Sequence, residues 1–139
     1  MENKFNDATP QRPEGKRPID APIVLINLND FKEQIKDEPS WKDSDRNAIT
    51  MFKSDTFRLV LVALHEGAVL NPHTAKGVIS LQVLEGKIKF TTDKETVELE
   101  KGQLLVLHEA ISHSVEAKKD STFLLTLAMN AELLSDSAR

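Results

Sequence analysis

Residues 78–107 read VISLQVLEGKIKFTTDKETVELEKGQLLVL, and this stretch decides the fold. Ile88 and Phe90 fall on one side of an extended chain whose other side carries Lys87 and Lys89. Val97 and Leu99 oppose Glu98 and Glu100 in the same way. Side chains on a strand point to alternate faces, so a period of two marks a strand with one buried face. Glu85-Gly86, Asp93-Lys94 and Lys101-Gly102 separate the runs as turns. The stretch therefore predicts strands over 78–84, 87–91, 96–100 and 104–107, with the rhythm of an antiparallel sandwich or barrel.

Working outward, further strands are predicted over 48–53, 57–65, 114–117 and 122–129, with turns at Glu66-Gly67 and over 118–121. The strand at 57–64 differs from the rest. Phe57, Leu59, Leu61 and Ala63 make one apolar face, and Val60, Val62 and Leu64 make the other. A barrel wall buries one face only, so something must cover the second: an N-terminal helix or another subunit. The expectation here is a homodimer. Residues 23–28 form a short apolar run suited to a strand, and Asp30 with Glu33 has the spacing of a capping box for a short helix through Phe31 and Ile35 that Pro39 ends.

The chain has 139 residues, which suits one domain with a core of ordinary size. Residues 1–20 hold Pro10, Pro13 and Pro18, many charges and few large apolar residues, and are expected to form a mobile arm. The barrel domain is placed at 21–129 and a tail at 130–139, a turn of helix around Leu133 and Leu134 or nothing regular.

Composition excludes several functions. With 18 Lys and Arg against 22 Asp and Glu, and no basic stripe, nucleic acid and anionic membrane surfaces are not expected partners. There is no cysteine, so disulfides, thiolate metal ligands and a cysteine nucleophile are excluded. The start lacks the apolar core of a secretory signal, and the densest apolar stretch, 59–64, is too short to span a bilayer. The expected location is cytoplasmic. Ser112-His113-Ser114 is no hydrolase dyad, because neighbours on a strand point apart.

Two glycine-anchored hairpins carry a histidine each. Gly67 is followed by residues 68–72 and then His73, and that hairpin closes on Gln82-Val83-Leu84-Glu85-Gly86. Gly102 leads through 104–107 and Ile111-Ser112 to His113. Over residues 57–128 this pattern resembles the two motifs of the cupin superfamily, specifically the small conserved-barrel cupins. The resemblance implies an all-β fold: a single-domain cupin β-barrel, a jelly roll or double-stranded β-helix, here with a short N-terminal helix.

The same resemblance assigns four metal-ligand positions, and two have changed. Ala75 stands at the family's second histidine and Ile79 at its glutamate. His108 stands at the proline of the second motif and Ala110 at its glycine. His73 and His113 keep the ligand positions. A divalent first-row metal is held tightly by three or four donors, commonly imidazoles with a carboxylate. Two neutral imidazoles fall short of that, so the reading favours no metal; a rebuilt site would draw on His73 and His113 with His65 or His108. By alternation Ile79, Leu81 and Val83 share a face, so the candidate pocket is an apolar slot lined by Ala75, Ile79, Leu81 and Val83 with His73 and His113 at its mouth.

Three functions follow from this. The leading one is a small-molecule binding or regulatory module, because binding pockets are mostly apolar with few convergent polar groups. The second is a metal-dependent cupin enzyme of dioxygenase or isomerase type with a rebuilt histidine site, or a metal-free acid–base catalyst. The third is a structural dimeric interaction protein.

Overall fold

A computed structural model describes Lys4, Phe5 and residues 17–129. Among them, in chain order, lie β1 (Lys4–Phe5), β2 (Pro18–Asp20), α1 (Leu28–Asp37), α2 (Pro39–Asp43), β3 (Arg46–Lys53), β4 (Phe57–Leu64) and β5 (Val69–His73). Then follow β6 (Gly77–Glu85), β7 (Lys87–Thr92), β8 (Thr96–Glu100), β9 (Leu104–Leu107), β10 (His113–Ala117) and β11 (Ser121–Met129). A five-stranded antiparallel sheet, β3-β4-β11-β6-β9, faces a four-stranded one, β5-β10-β7-β8. From β4 onward the chain passes back and forth between the sheets, at tight corners such as β6 to β7, β8 to β9 and β10 to β11, which makes the jelly roll.

The alternating residues of the decisive stretch do what their phase demands. Ile79, Leu81, Val83, Ile88, Phe90 and Leu99 meet between the sheets, with Val62, Leu64, Val115 and Phe123. The β6–β7 corner turns on Gly86, whose φ of 87° is a left-handed value open to glycine at no steric cost. A Cβ at Gly86 would also collide with the Asp120 carbonyl and the Ser121 side chain.

The two-faced strand β4 sits second in the larger sheet, and both of its faces are covered within one chain. Val60, Val62 and Leu64 enter the barrel core. Leu59, Leu61 and Ala63 belong to a second apolar cluster outside the barrel, roofed by α1 through Ile35 and Phe31 and by Trp41 of α2. Ile35 is completely buried. Polar contacts fasten the helix at both sides. The Asn47 amide on β3 donates to the Ile35 carbonyl and to Glu38 Oε1, each at 2.9 Å. Lys36 and Lys32 reach Glu85 of β6 at 2.7 and 3.2 Å. The Lys36 ammonium, helped by Lys32 and opposed by partial burial, holds the Glu85 carboxyl below its ordinary range.

Several expectations are corrected. Residues 23–28 are not a strand: Ile23 and Leu25 are 86% and 94% exposed, and Leu28 already begins α1. An apolar run becomes a strand only where another edge offers hydrogen bonds, and this run finds none. The helix cap is Asn27, whose side chain accepts the Asp30 N–H at 3.4 Å, and not Asp30. Pro39 follows the end of α1 as expected but also opens α2, where its missing N–H is not needed. Within the supposed arm, Pro18–Asp20 pairs with Lys4–Phe5, and Ile19 and Asp20 are buried. Residues 1–3, 6–16 and the tail at 130–139 lie outside the described residues. Strand β5 was not expected at all, since Pro72 interrupts it; at a sheet edge proline costs no ladder bond.

No helix among the described residues is long and apolar enough to cross a membrane.

If α1 is the roof of the outer cluster, Ile35→Ala should lower unfolding free energy by about 2–4 kcal/mol in urea titration, as buried Ile-to-Ala changes do. A loss below about 1 kcal/mol would show that the helix is not part of the cooperative core.

Candidate functional site

His73 ends β5 and His113 begins β10, and the two are direct cross-strand partners. Their ring centroids lie 4.3 Å apart at 59°. Each ring nitrogen Nδ1 contacts a backbone carbonyl two residues upstream: His73 to Asn71 at 3.0 Å and His113 to Ile111 at 2.9 Å. A carbonyl can only accept, so each Nδ1 carries the proton and donates it. Both Nε2 atoms are thereby left with free lone pairs, in the tautomer that accepts a hydrogen bond or binds a metal.

The two rings differ in surroundings. His113 is 5% exposed and stacks on Phe90 at 5.5 Å, whereas His73 is exposed. Burial pushes the His113 imidazole below its ordinary value; the bond to Ile111 opposes this, and the nearby His73 adds to it. Burial thus favours the neutral form of this ring.

Strand register gathers the site at one end of the barrel. His113 pairs with Thr92 at the end of β7, Ile79 with Leu107 at the end of β9, and Leu127 of β11 with both Ile79 and Arg58. The opposite end is closed by the bonds Gly67 N–H to Ala117 and Lys118 N–H to Lys87. The loops at the open end are tied together, since Ala110 N–H donates to the Ala75 carbonyl at 3.0 Å. Ala110 has a φ of 62°, the left-handed conformation for which the family's motif uses glycine.

The sequence-derived candidates divide accordingly. His73, His113, Ala75 and Ile79 lie at the mouth. Leu81 and Val83 are on the same inner face but deeper, 1% and 0% exposed, as packed core. His65 is at the closed end: its ring stacks on Trp41 with centroids 3.4 Å apart, and Nε2 donates to the Trp41 carbonyl at 2.7 Å. It cannot join a ligand set with His73, because β10 runs its whole length between them. His108 is exposed on the β9–β10 loop. Among the described residues, no three His, Cys, Asp or Glu side chains are disposed to hold a metal.

Two rim residues escaped the sequence reading. Arg58 shares the phase of Val60, Val62 and Leu64, which face the core, and its partner Leu127 packs against that core. Lys53 lies directly opposite it on β3. The signal was present in the alternation of β4, where Arg58 stands one step before Val60 on the inward face. A separate cleft of about 260 Å³ opens outside the barrel, between α1 and β2, lined by Arg17, Phe31 and Met51 among others.

These features define a cupin barrel whose metal-ligand set is incomplete. The chain belongs to the family described as AraC-like ligand binding domain, whose model matches residues 60–139, more than half of the chain. No curated protein matches it by sequence. Among solved structures, a conserved protein of unknown function from Streptococcus pyogenes superposes with a TM-score of 0.59 at 22% identity, over 61% of this chain and 75% of the other. A cupin-2 domain containing protein from Shewanella frigidimarina gives 0.61 at 15% identity, over 76% and 95%. Salicylate 1,2-dioxygenase from Pseudoaminobacter salicylatoxidans gives 0.69 at 18% identity, over 86% of this chain and 36% of the dioxygenase. Identities this low establish a shared fold.

The depressed affinity of His113 for protons has a sign that can be checked. The unfolded chain takes up the proton first as pH falls, so the folded state is at full strength above 6.5, the ordinary imidazole value, and loses stability below it. Denaturant unfolding between about pH 7.5 and 5 should show this decline, and His113→Leu should make it shallower. An unchanged slope in the variant would mean that His113 is not the buried neutral group.

Proposed function

We propose that this domain binds a small organic molecule at the open end of the barrel and acts as a binding or regulatory module. One observation carries the reading. Two imidazoles, each oriented by a backbone carbonyl and each with a free Nε2, stand at the mouth of a barrel whose partly buried apolar residues include Ala75, Val60, Leu125 and Leu127. Few convergent polar groups on an apolar concavity is what small-molecule sites look like, and the family's description as ligand binding supports it.

The fold class suggests a metal as an alternative occupant. The donor chemistry here does not fit one held tightly. Ala75 and Ile79 supply no donor where the cupin motif has histidine and glutamate, and among the described residues no carboxylate joins the imidazoles. Elemental analysis of tag-free protein never exposed to a nickel column decides this. Less than about a tenth of an equivalent of first-row metal is expected, since two neutral ligands leave most positions to water. Near-stoichiometric metal that is lost in His73→Ala would make the enzyme reading the leading one.

A homodimer keeps one support, the exposed Leu104 and Val106 on the edge strand β9, 59% and 64% exposed. Light scattering at micromolar concentration tests it, and a monomer removes it.

The binding reading itself is tested by thermal shift against a library of small organic molecules. A ligand present at about a hundred times its Kd should stabilise the fold by about 2.7 kcal/mol. That gain should disappear in the His73→Ala, His113→Ala double variant. If the double variant responds to the same compounds equally, the barrel mouth is not where they bind.

A further inference from the structure

We propose that the ligand carries a carboxylate, taken by Arg58 and Lys53 on the rim facing the two imidazoles. This rests on the reading of the mouth as a binding site and names the chemistry that site selects.

Arg58 is the single charged residue of β4 and lies on its inward face at the open end, paired across the sheet with Leu127. Lys53 is its direct partner on β3. Two cations placed directly opposite on neighbouring strands repel each other. Among the described residues, neither makes a hydrogen bond or an ion pair that would offset this. Other cations of the sheets stand beside acids: Lys87 reaches Glu98 at 3.1 Å, Arg46 reaches Asp45 at 2.8 Å, and Lys89 lies in register between Glu98 and Glu116. Both residues are exposed, and two unpaired cations beside the apolar rim are a place for an anion from outside. The guanidinium presents a planar fork that takes a carboxylate through two parallel hydrogen bonds.

The rest of the ligand follows from the opposite wall. Facing sheets stand roughly 10 Å apart. Across that gap from Arg58, His73 and His113 offer two Nε2 acceptors and no donor. Between them the surface is Val60, Leu125, Leu127 and Ile79. The fitting class is a small monocarboxylate with an apolar body and, at its far end, a hydroxyl or N–H that can donate to an imidazole. A phosphate monoester shares the anion chemistry and would engage both cations, so phenyl phosphate is the competing probe.

Matched probes test this by calorimetry at low ionic strength and neutral pH: 4-hydroxybenzoate against 4-hydroxybenzamide, 6-hydroxyhexanoate against hexane-1,6-diol, and phenyl phosphate. Each acid is expected to bind about tenfold or more tightly than its neutral counterpart, the order of one charge-assisted pair. Arg58→Gln should erase that preference, bringing each acid to within about threefold of its neutral counterpart, and Lys53→Gln should reduce it. Equal binding of acid and neutral probes overturns the carboxylate proposal and leaves the binding site standing. Tighter binding of phenyl phosphate than of either acid overturns it in favour of a phosphate. If no probe binds, the proposal falls together with the site. A second measurement needs no ligand. At about 0.01 M salt each single variant should melt about 1–2 °C above the parent, and the gain should vanish near 1 M salt. A variant that melts at or below the parent at low salt means that the pair carries no unrelieved repulsion, and this too overturns the proposal.

Discussion

Strand β4 has no polar face, and much of the architecture answers that constraint. A strand in a barrel wall normally turns polar residues to water on one side. Here Val60, Val62 and Leu64 belong to the barrel core while Leu59, Leu61 and Ala63 need a roof. The roof is α1, and its placement requires further devices: an Asn27 cap at one end, the Asn47 and Glu38 contacts at the other, and the two lysines on Glu85 along its side. The five-stranded sheet thus becomes the middle layer of three, with helix on one side and the smaller sheet on the other. That sheet carries Arg58 and Ile79 to the mouth on well-supported strands, and a site on rigid elements keeps its geometry.

At the mouth, backbone geometry decides the chemistry. A histidine in solution moves its proton between two nitrogens. Here the Asn71 and Ile111 carbonyls remove that freedom in His73 and His113, so that both rings present acceptors to the same space. A third donor at Ala75 or Ile79 would turn the same arrangement towards metal chemistry; an alanine and an isoleucine there make it a lipophilic surface with two polar points. The barrel is held in common with dioxygenases and with proteins of unknown function. What differs among such proteins is carried by a handful of side chains at the rim.

Much of the fold was legible because period two is a local property of the chain. The strands at 78–84, 87–91, 96–100 and 104–107 form within a residue or two of their predicted limits. What failed was whatever depends on a distant neighbour. The run at 23–28 looked like a strand because composition cannot say whether an edge is free beside it. Strand β5 was invisible because Pro72 breaks the pattern that its position at an edge forgives. For the site, His73 and His113 stood out through their motif positions. His65 could be separated from them only once Trp41 and the direction of β10 were known. Alternation puts Arg58 on the inward face with Val60, but that this face ends at an open barrel mouth follows only from the strand order and register.

A strand that is greasy on both sides has a further cost while the chain is still unfolded. Residues 57–64, FRLVLVAL, combine β-branched and leucine side chains with no proline and no glycine. Such windows drive chains to stack on one another when exposed. In the native protein β3 and β11 occupy both edges and α1 shields one face, but β11 is the last strand of the described fold to leave the ribosome. Until then Arg58 is the only charge that interrupts the segment, the place of a gatekeeper. The same guanidinium that stands at the rim of the barrel is thus the one charge that opposes stacking of this segment on another copy before the sheet has closed.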